Sequence, residues 1–224
     1  MALHSPVKTD AAASLADPDA TEIAGAYLKQ LAELAARVDI PAVGDLAQAV
    51  ADTIVGGRTV MVAGNGGSAS TAGHIACDIV GTCLRAGLPH ARVLGLSDNP
   101  SVLTALANDI GFAEVFAQQI RLHGSAGDLL LLLSVSGESA NLIAAARAAR
   151  AAGIRVAVAV GRSDASLLAY ADHSVCLDTT DYGLAEDLQL AMNHIVGRLL
   201  SGGSPQLCTP APLHTQRREA SCVA

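Results

Sequence analysis

The stretch Thr59-Val60-Met61-Val62-Ala63-Gly64-Asn65-Gly66-Gly67-Ser68 decides the fold of this chain. Val60 to Ala63 is an unbroken apolar run, the pattern of a strand covered on both faces, and the glycine-rich turn after it leads straight into a helix starting at Ser68. A strand entering a helix through such a turn is the first half of a βαβ unit, and the unit repeats downstream. Strands are expected at Thr59–Ala63, Arg92–Leu96, Asp128–Leu133, Ile154–Val160 and His173–Leu177. Helices are expected at Ser68–Val80, Pro100–Ala107, Ala113–His123, Ala140–Ala152 and Leu184–Leu200. Apolar strands alternating with helices predict an α/β, doubly wound domain with a parallel sheet.

Upstream, Ile23, Ala24, Tyr27, Leu31 and Leu34 recur at helical spacing within Thr21–Val38, and Pro41 opens a second helix reaching Val55. This N-terminal helical pair packs either on its own sheet or against another subunit. Residues 1–20 read as a flexible tail, residues 21–200 as a single domain, and residues 201–224, rich in Ser, Pro, Thr and Gly, as a disordered tail.

Composition excludes several functions. The chain has 224 residues, 51% of them hydrophobic, a net charge of -7, 2% aromatics and no Trp, so neither a basic groove nor a stacking platform for nucleic acid is available. Lys8 and Lys29 are the only lysines and lie outside every motif, which removes P-loop, pyridoxal-phosphate and Schiff-base chemistry from the domain. Cys77, Cys83, Cys176, Cys208 and Cys222 form no Cys-x-x-Cys pair, and Met1 to Ala20 carries Asp and Pro in place of an apolar leader. A cytoplasmic protein with no membrane span is expected.

Ligands of such sheets bind beyond the carboxyl ends of the strands. There Gly64-Asn65-Gly66-Gly67-Ser68 offers close backbone approach and helix N-terminal amides to an anion, with Ser68 able to cap the helix and to donate a hydroxyl. A turn with no ligand explains the same residues. A second loop, Ser134-Val135-Ser136-Gly137-Glu138-Ser139-Ala140-Asn141, places three hydroxyls at another helix start, where one phosphate can be held without a lysine. Glu138 there reads best as an acid in the first turn of a helix. On the helix after the glycine loop, His74 and Asp78 stand four residues apart and share a face that suits a divalent metal or an ordinary surface pair. The last helix adds Glu186, Asp187, Gln189 and His194. Eight residues separate Glu186 from His194, roughly 12 Å along a straight helix at about 1.5 Å per residue, which makes one shared metal hard for both to reach.

Taken together, Gly64–Ser68, His74-Ile75-Ala76-Cys77-Asp78, Leu103–Asp109 with Gly111-Phe112, Gly127–Leu131 through Ser139, and Glu186-Asp187-Leu188 through His194 resemble the sugar isomerase (SIS) domain of phosphoheptose isomerases, from about Ile23 to Leu200. The resemblance implies a five-stranded parallel sheet of flavodoxin-like, three-layer form and a homotetramer with active sites between subunits. It implies conversion of D-sedoheptulose 7-phosphate to D-glycero-D-manno-heptose 7-phosphate with zinc as the cofactor. By position, His74, Asp78, Glu186 and His194 match the metal site, and Asn65, Gly66, Gly67, Asn108, Asp109, Ser134, Ser136 and Ser139 match substrate contacts. Asp78 and His194 are the expected acid/base pair, with Ser68, Asp78 and Glu186 also beside the substrate. Three departures stand out: Asp78 at a position typically Glu, Glu186 at one typically Gln, and Val135 and Glu138 where Thr and Asn are often seen.

Two rival readings remain. Related SIS proteins act as sugar-phosphate regulators or as protein-binding tetramers such as the DnaA-binding replication factor, which lacks the metal residues kept here. Gly64-x-Gly66-x-x-Ala69 with Asp98 at the end of the second strand also fits a loose dinucleotide fingerprint, which predicts neither the serine loop nor the His-Asp helix. His4, His90, His123, His173 and His214 read as solvated or structural, and Cys77 as core packing.

Overall fold

Aliphatic runs buried on both faces belong in the middle of a covered sheet, and three such runs form its centre. The computed structural model describes residues 19–203. The tails expected at 1–20 and 201–224, with Lys8, His4, His214, Cys208 and Cys222, fall wholly or almost wholly outside them. Strands β1 (Val60–Ala63), β2 (Val93–Gly95), β3 (Leu129–Ser134), β4 (Arg155–Val160) and β5 (His173–Cys176) pair in parallel in the order β2-β1-β3-β4-β5. Every residue of β1 and β3 is buried. Each leucine of Leu129–Leu133 removed from water contributes about 2 kcal/mol. Asp128, just before β3, is itself buried and accepts from the Thr59 and Ser125 amides, which fixes where β3 begins beside β1.

The helices are α1 (Ala20–Ala35), α2 (Ile40–Val55), α3 (Gly67–Ala86), α4 (Pro100–Ile110), α5 (Val115–His123), α6 (Ala140–Ala151) and α7 (Tyr182–Leu200), with 3-10 turns at Phe112–Glu114 and Ser166–Tyr170. One face of the sheet packs against α2, α3 and α7, the other against α5, α6 and the Ser166–Tyr170 turn. The expected N-terminal pair divides. α2 buries eight residues on its own domain, whereas α1 buries only Leu34 and leaves Ile23 and Leu28 exposed.

Several boundaries differ from those read in the sequence. α3 continues six residues past Val80 because Ile79 and Cys83 stay in phase with the core, and it stops where Gly87 takes a left-handed φ of 68°. α7 starts at Tyr182 because the Asp181 carboxylate accepts from the Leu184 amide and caps it. The turn at Ser166–Tyr170 carries too short a pattern to be read in advance.

Strand order reverses direction between β1 and β3, so the loops leaving these two strands diverge to opposite faces and open a crevice between them. Both loops singled out in the sequence border it.

Candidate functional site

The crevice at this switch point has a volume of about 240 Å³ and is walled by the glycine loop, the serine loop, Tyr182 and Glu186. Gly66 is the N-cap of α3 with φ 57° and ψ -127°, a conformation open only to glycine, and no side chain caps the helix. The Gly67 and Ser68 amides, at the crevice wall, therefore have no partner within the helix, while Ala69 N donates to Gly66 O at 3.1 Å. Two further contacts brace the loops. Asn65 and Asn141 exchange reciprocal amide bonds of 2.9 and 2.8 Å across the crevice floor. In the serine loop, Ser134 Oγ accepts from the Gly137 amide at 2.9 Å and Ser136 Oγ from the Glu138 amide at 3.3 Å. A hydroxyl that accepts keeps its proton free to donate. Ser139 caps α6 with its backbone only, so its hydroxyl is also available.

Two expectations are corrected here. Ser68 does not cap α3: it lies one residue inside the helix, is buried in the crevice wall, and its hydroxyl donates to Gln189 Oε1 at 3.2 Å. Glu138 is not a first-turn acid of α6. Its carboxylate accepts from both the amide and the hydroxyl of Ser166 at 2.7 Å, which ties the serine loop to the Ser166–Tyr170 turn and turns the charge away from the crevice. Those two bonds, first the Ser166 hydroxyl, hold the Glu138 carboxyl below its ordinary range.

α3 and α7 leave the crevice side by side, and their seam carries the second part of the site. His74 Nε2 lies 3.0 Å from Asp78 Oδ2, and His194 Nε2 lies 3.5 Å from the same oxygen. The two imidazoles meet edge to face, with centroids 5.9 Å apart. Asn193 Nδ2 donates to Asp78 Oδ2 at 2.9 Å, so all these contacts converge on one carboxylate oxygen and Oδ1 takes part in none of them. The three residues present ligand atoms within 4.8 Å of one another on a half-exposed surface, and Asp78 and His194 line a groove of about 580 Å³ together with Arg85 and Arg198. Two imidazoles and one carboxylate with an open side are the donor set of a catalytic zinc site, and they fit a divalent metal.

Glu186 does not join this cluster. The rise of α7 carries it back to the crevice, where its carboxylate lies so close over Gly67 that a Cβ at residue 67 would collide with it. A larger residue at 67 would oblige the Glu186 carboxylate to swing aside, and the added negative charge stands at the N-terminus of α3 rather than beside the histidines. Cys77 faces solvent instead of the core, because the phase of α3 buries Ala76 and Ile79 on either side of it. Asn108 and Asp109 sit exposed near the end of α4, bonded to each other at 3.0 Å, and do not line the crevice of their own chain. Asp98 lies packed beside Gly73 and Gly95, and the strand order is the flavodoxin-like one, so the dinucleotide reading gains no support from the topology. Asn193 was not legible as part of the site. Its only signal is a polar residue four positions from Gln189 on a face otherwise apolar.

Comparison with known proteins bears on this geometry. The SIS domain family model matches residues 26–161. The phosphoheptose isomerase of Streptomyces coelicolor is 43% identical over 147 residues, which span 66% of this chain and 63% of that protein. That of Rhodospirillum rubrum is 36% identical over 158 residues, 70% of this chain and 82% of that protein. Among solved structures, phosphoheptose isomerase from Neisseria gonorrhoeae superposes with a TM-score of 0.74 at 26% identity, covering 81% of this chain and 98% of that one.

Proposed function

The chain belongs to the phosphoheptose isomerases of the SIS-domain family, and from that premise we propose how it converts D-sedoheptulose 7-phosphate to D-glycero-D-manno-heptose 7-phosphate. The observation that carries the mechanism is the convergence of His74, Asp78 and His194 within 4.8 Å, next to a crevice built of backbone amides and serine hydroxyls.

The phosphate is held in the crevice by the first amides of α3 and α6 and by the hydroxyls of Ser134, Ser136 and Ser139, with Asn65, Gly66 and Gly67 shaping its wall. The open-chain sugar then extends along the α3–α7 seam and brings C1 and C2 to Asp78 and His194. Asp78 accepts the C1 proton through Oδ1, His194 gives a proton to the C2 oxygen, and the enediol forms. His194 takes the proton from the C1 oxygen, the proton returns from Asp78 to C2, and the aldehyde results with both residues back in their starting states. A zinc ion would be held by His74 and Asp78, with His194 completing the set only when its imidazole is not carrying the transferred proton, and would supply electrostatic polarisation of the carbonyl. Glu186 would join that ligand set only through a different side-chain rotamer.

We assign the working unit to residues 21–200 and place it in the cytoplasm as a homotetramer with sites between subunits. No helix among the described residues is long and apolar enough to cross a membrane. The tetramer is supported by the exposed Ile23, Leu28, Val80, Leu84, Ile195 and Leu199 and by the distance of Asn108 and Asp109 from the crevice of their own chain. The decisive experiment incubates the full chain with sedoheptulose 7-phosphate, with and without a chelator, and follows the aldose product. Product that disappears on chelation and returns with zinc is expected. A protein that binds no metal and turns over no heptulose phosphate would be a binding module instead.

A further inference from the structure

The seam between α3 and α7 encloses two polar atoms that no group among the described residues satisfies. Gln189 is 1% exposed and Asn193 4%, yet Gln189 Nε2 and Asn193 Oδ1 have no hydrogen-bond partner. The orientation of Asn193 is fixed, because its Nδ2 donates to Asp78 Oδ2 at 2.9 Å and the reversed amide would set oxygen against oxygen. Its carbonyl must therefore face inward. Gln189 is joined to the Ser68 hydroxyl at 3.2 Å, and since a hydroxyl both donates and accepts, either orientation of the amide leaves one polar atom over.

Both residues line the same internal cavity, whose other walls include Leu46, Val50, Ile75 and Leu131. Standing four apart on α7, they face it from neighbouring turns. The cavity leaves about 10 Å³ for the centre of a water molecule. One water needs about 10–15 Å³ by this measure and two or more polar partners, both of which are present. Water can donate to Asn193 Oδ1 and accept from Gln189 Nε2 at once, which no aliphatic neighbour can do.

We propose that one buried water bridges Gln189 and Asn193, completing a hydrogen-bonded line from Ser68 in the crevice wall to the Asp78 carboxylate, and that Asn193 is a positioning residue for Asp78. Through this line the amide of Asn193 cannot swing away, and Asp78 keeps Oδ2 on the two histidines and Oδ1 toward the seam's open side. The kinetic part rests on the isomerase reading; the water and the metal affinity do not.

A crystal structure of the full chain should show a density peak within hydrogen-bond distance of both amides, absent from the Gln189→Met/Asn193→Leu double variant. Competition against a chromophoric chelator should show zinc binding weakened about 10–100-fold in Asn193→Leu, the usual consequence of removing a group that orients a ligand. Under the same conditions kcat should fall while KM stays within about twofold, the pattern of a lost transition-state contact. Gln189→Met, which loses the water and keeps Asn193, should weaken zinc in the same direction by less, and Asn193→Ser serves if the leucine variant fails to fold. A dry cavity, a direct Gln189–Asn193 bond, or unchanged zinc affinity in a folded Asn193 variant would overturn the proposal. Density and zinc affinity remain readable in a protein that does not isomerise, so the two readings fail separately.

Discussion

The two ends of the α3–α7 seam are made of different materials. At the crevice end, where α3 begins, the donors are backbone: the glycines of 64–67 bare the first amides of the helix, and the one acidic side chain present, Glu186, stands over Gly67. At the other end, by Asp78, every backbone group is consumed within the helix and only side chains project: two imidazoles, a carboxylate and the amide of Asn193. Unpaired amides exist only in the first turn of a helix. A binding site for a fixed anion can therefore be built without lysine, but proton transfer a few turns further along must come from titratable side chains.

That division can be broken at either end. The largest effect is expected at the side-chain end. Asp78→Asn and His194→Gln should each lower kcat by about 10²–10⁴-fold, the usual contribution of a positioned acid or base, with the melting temperature nearly unchanged. Steady-state assay and thermal melting check both. At the backbone end, Ser136→Ala removes one hydroxyl from a cradle that keeps its amides. KM should rise about tenfold, as for one hydrogen bond to a charged group worth about 1.5 kcal/mol, with a smaller change in kcat. Glu186→Gln sharpens the contrast in the opposite sense, because it removes a negative charge from a helix N-terminus that must accept a phosphate. KM is expected to fall about fivefold, corresponding to about 1 kcal/mol, and the gain should shrink as salt is raised. The smallest effect lies off the seam. Tyr27→Phe deletes the 2.7 Å bond from the α1 phenol to Asp187 on α7 and should speed amide exchange in α1 about fivefold, for a loss of about 1 kcal/mol, without altering turnover. The same bond, with Asp187 the chief cause, pushes the Tyr27 phenol up to about 12 from 10.0. Its contribution is complete below pH 10 and is lost as pH rises through about 12.

The framework of this protein was open to reading because it is local. Leu129–Leu133 and Val60–Ala63 announce covered strands, and Gly64–Ser68 announces the turn into α3. His74 and Asp78 share a face by helical spacing and His194 stands out on the last helix, but their common metal role came only with the resemblance to known isomerases. The straight-helix rise that makes a shared metal difficult for Glu186 and His194 agrees with their placement on α7, His194 with the cluster and Glu186 at the crevice. What escaped is nonlocal. Asn193 reaches Asp78 across 115 residues because two helices cross at a particular height, and no spacing in the sequence encodes that height. Glu138 finds Ser166 28 residues away in a turn too short to recognise. Cys77 and Ser68 were misread for a simpler reason: a helix begun one residue earlier shifts which side chain lies at the cap, and the actual phase of α3 turns Cys77 outward.

Within the chain α1 is fastened to the rest of the fold by buried Leu34, the partly buried Tyr27 and Leu31 and the Tyr27–Asp187 bond, while α2 beside it is sunk in the core. In mechanical language the molecule has a soft handle attached to a hard body. In a chain separated from its neighbours, force or heat applied to the amino-terminal end should peel α1 away first and leave the sheet, both loops and the His74–Asp78–His194 cluster standing, so that loss of this helix and loss of the fold are two separate events.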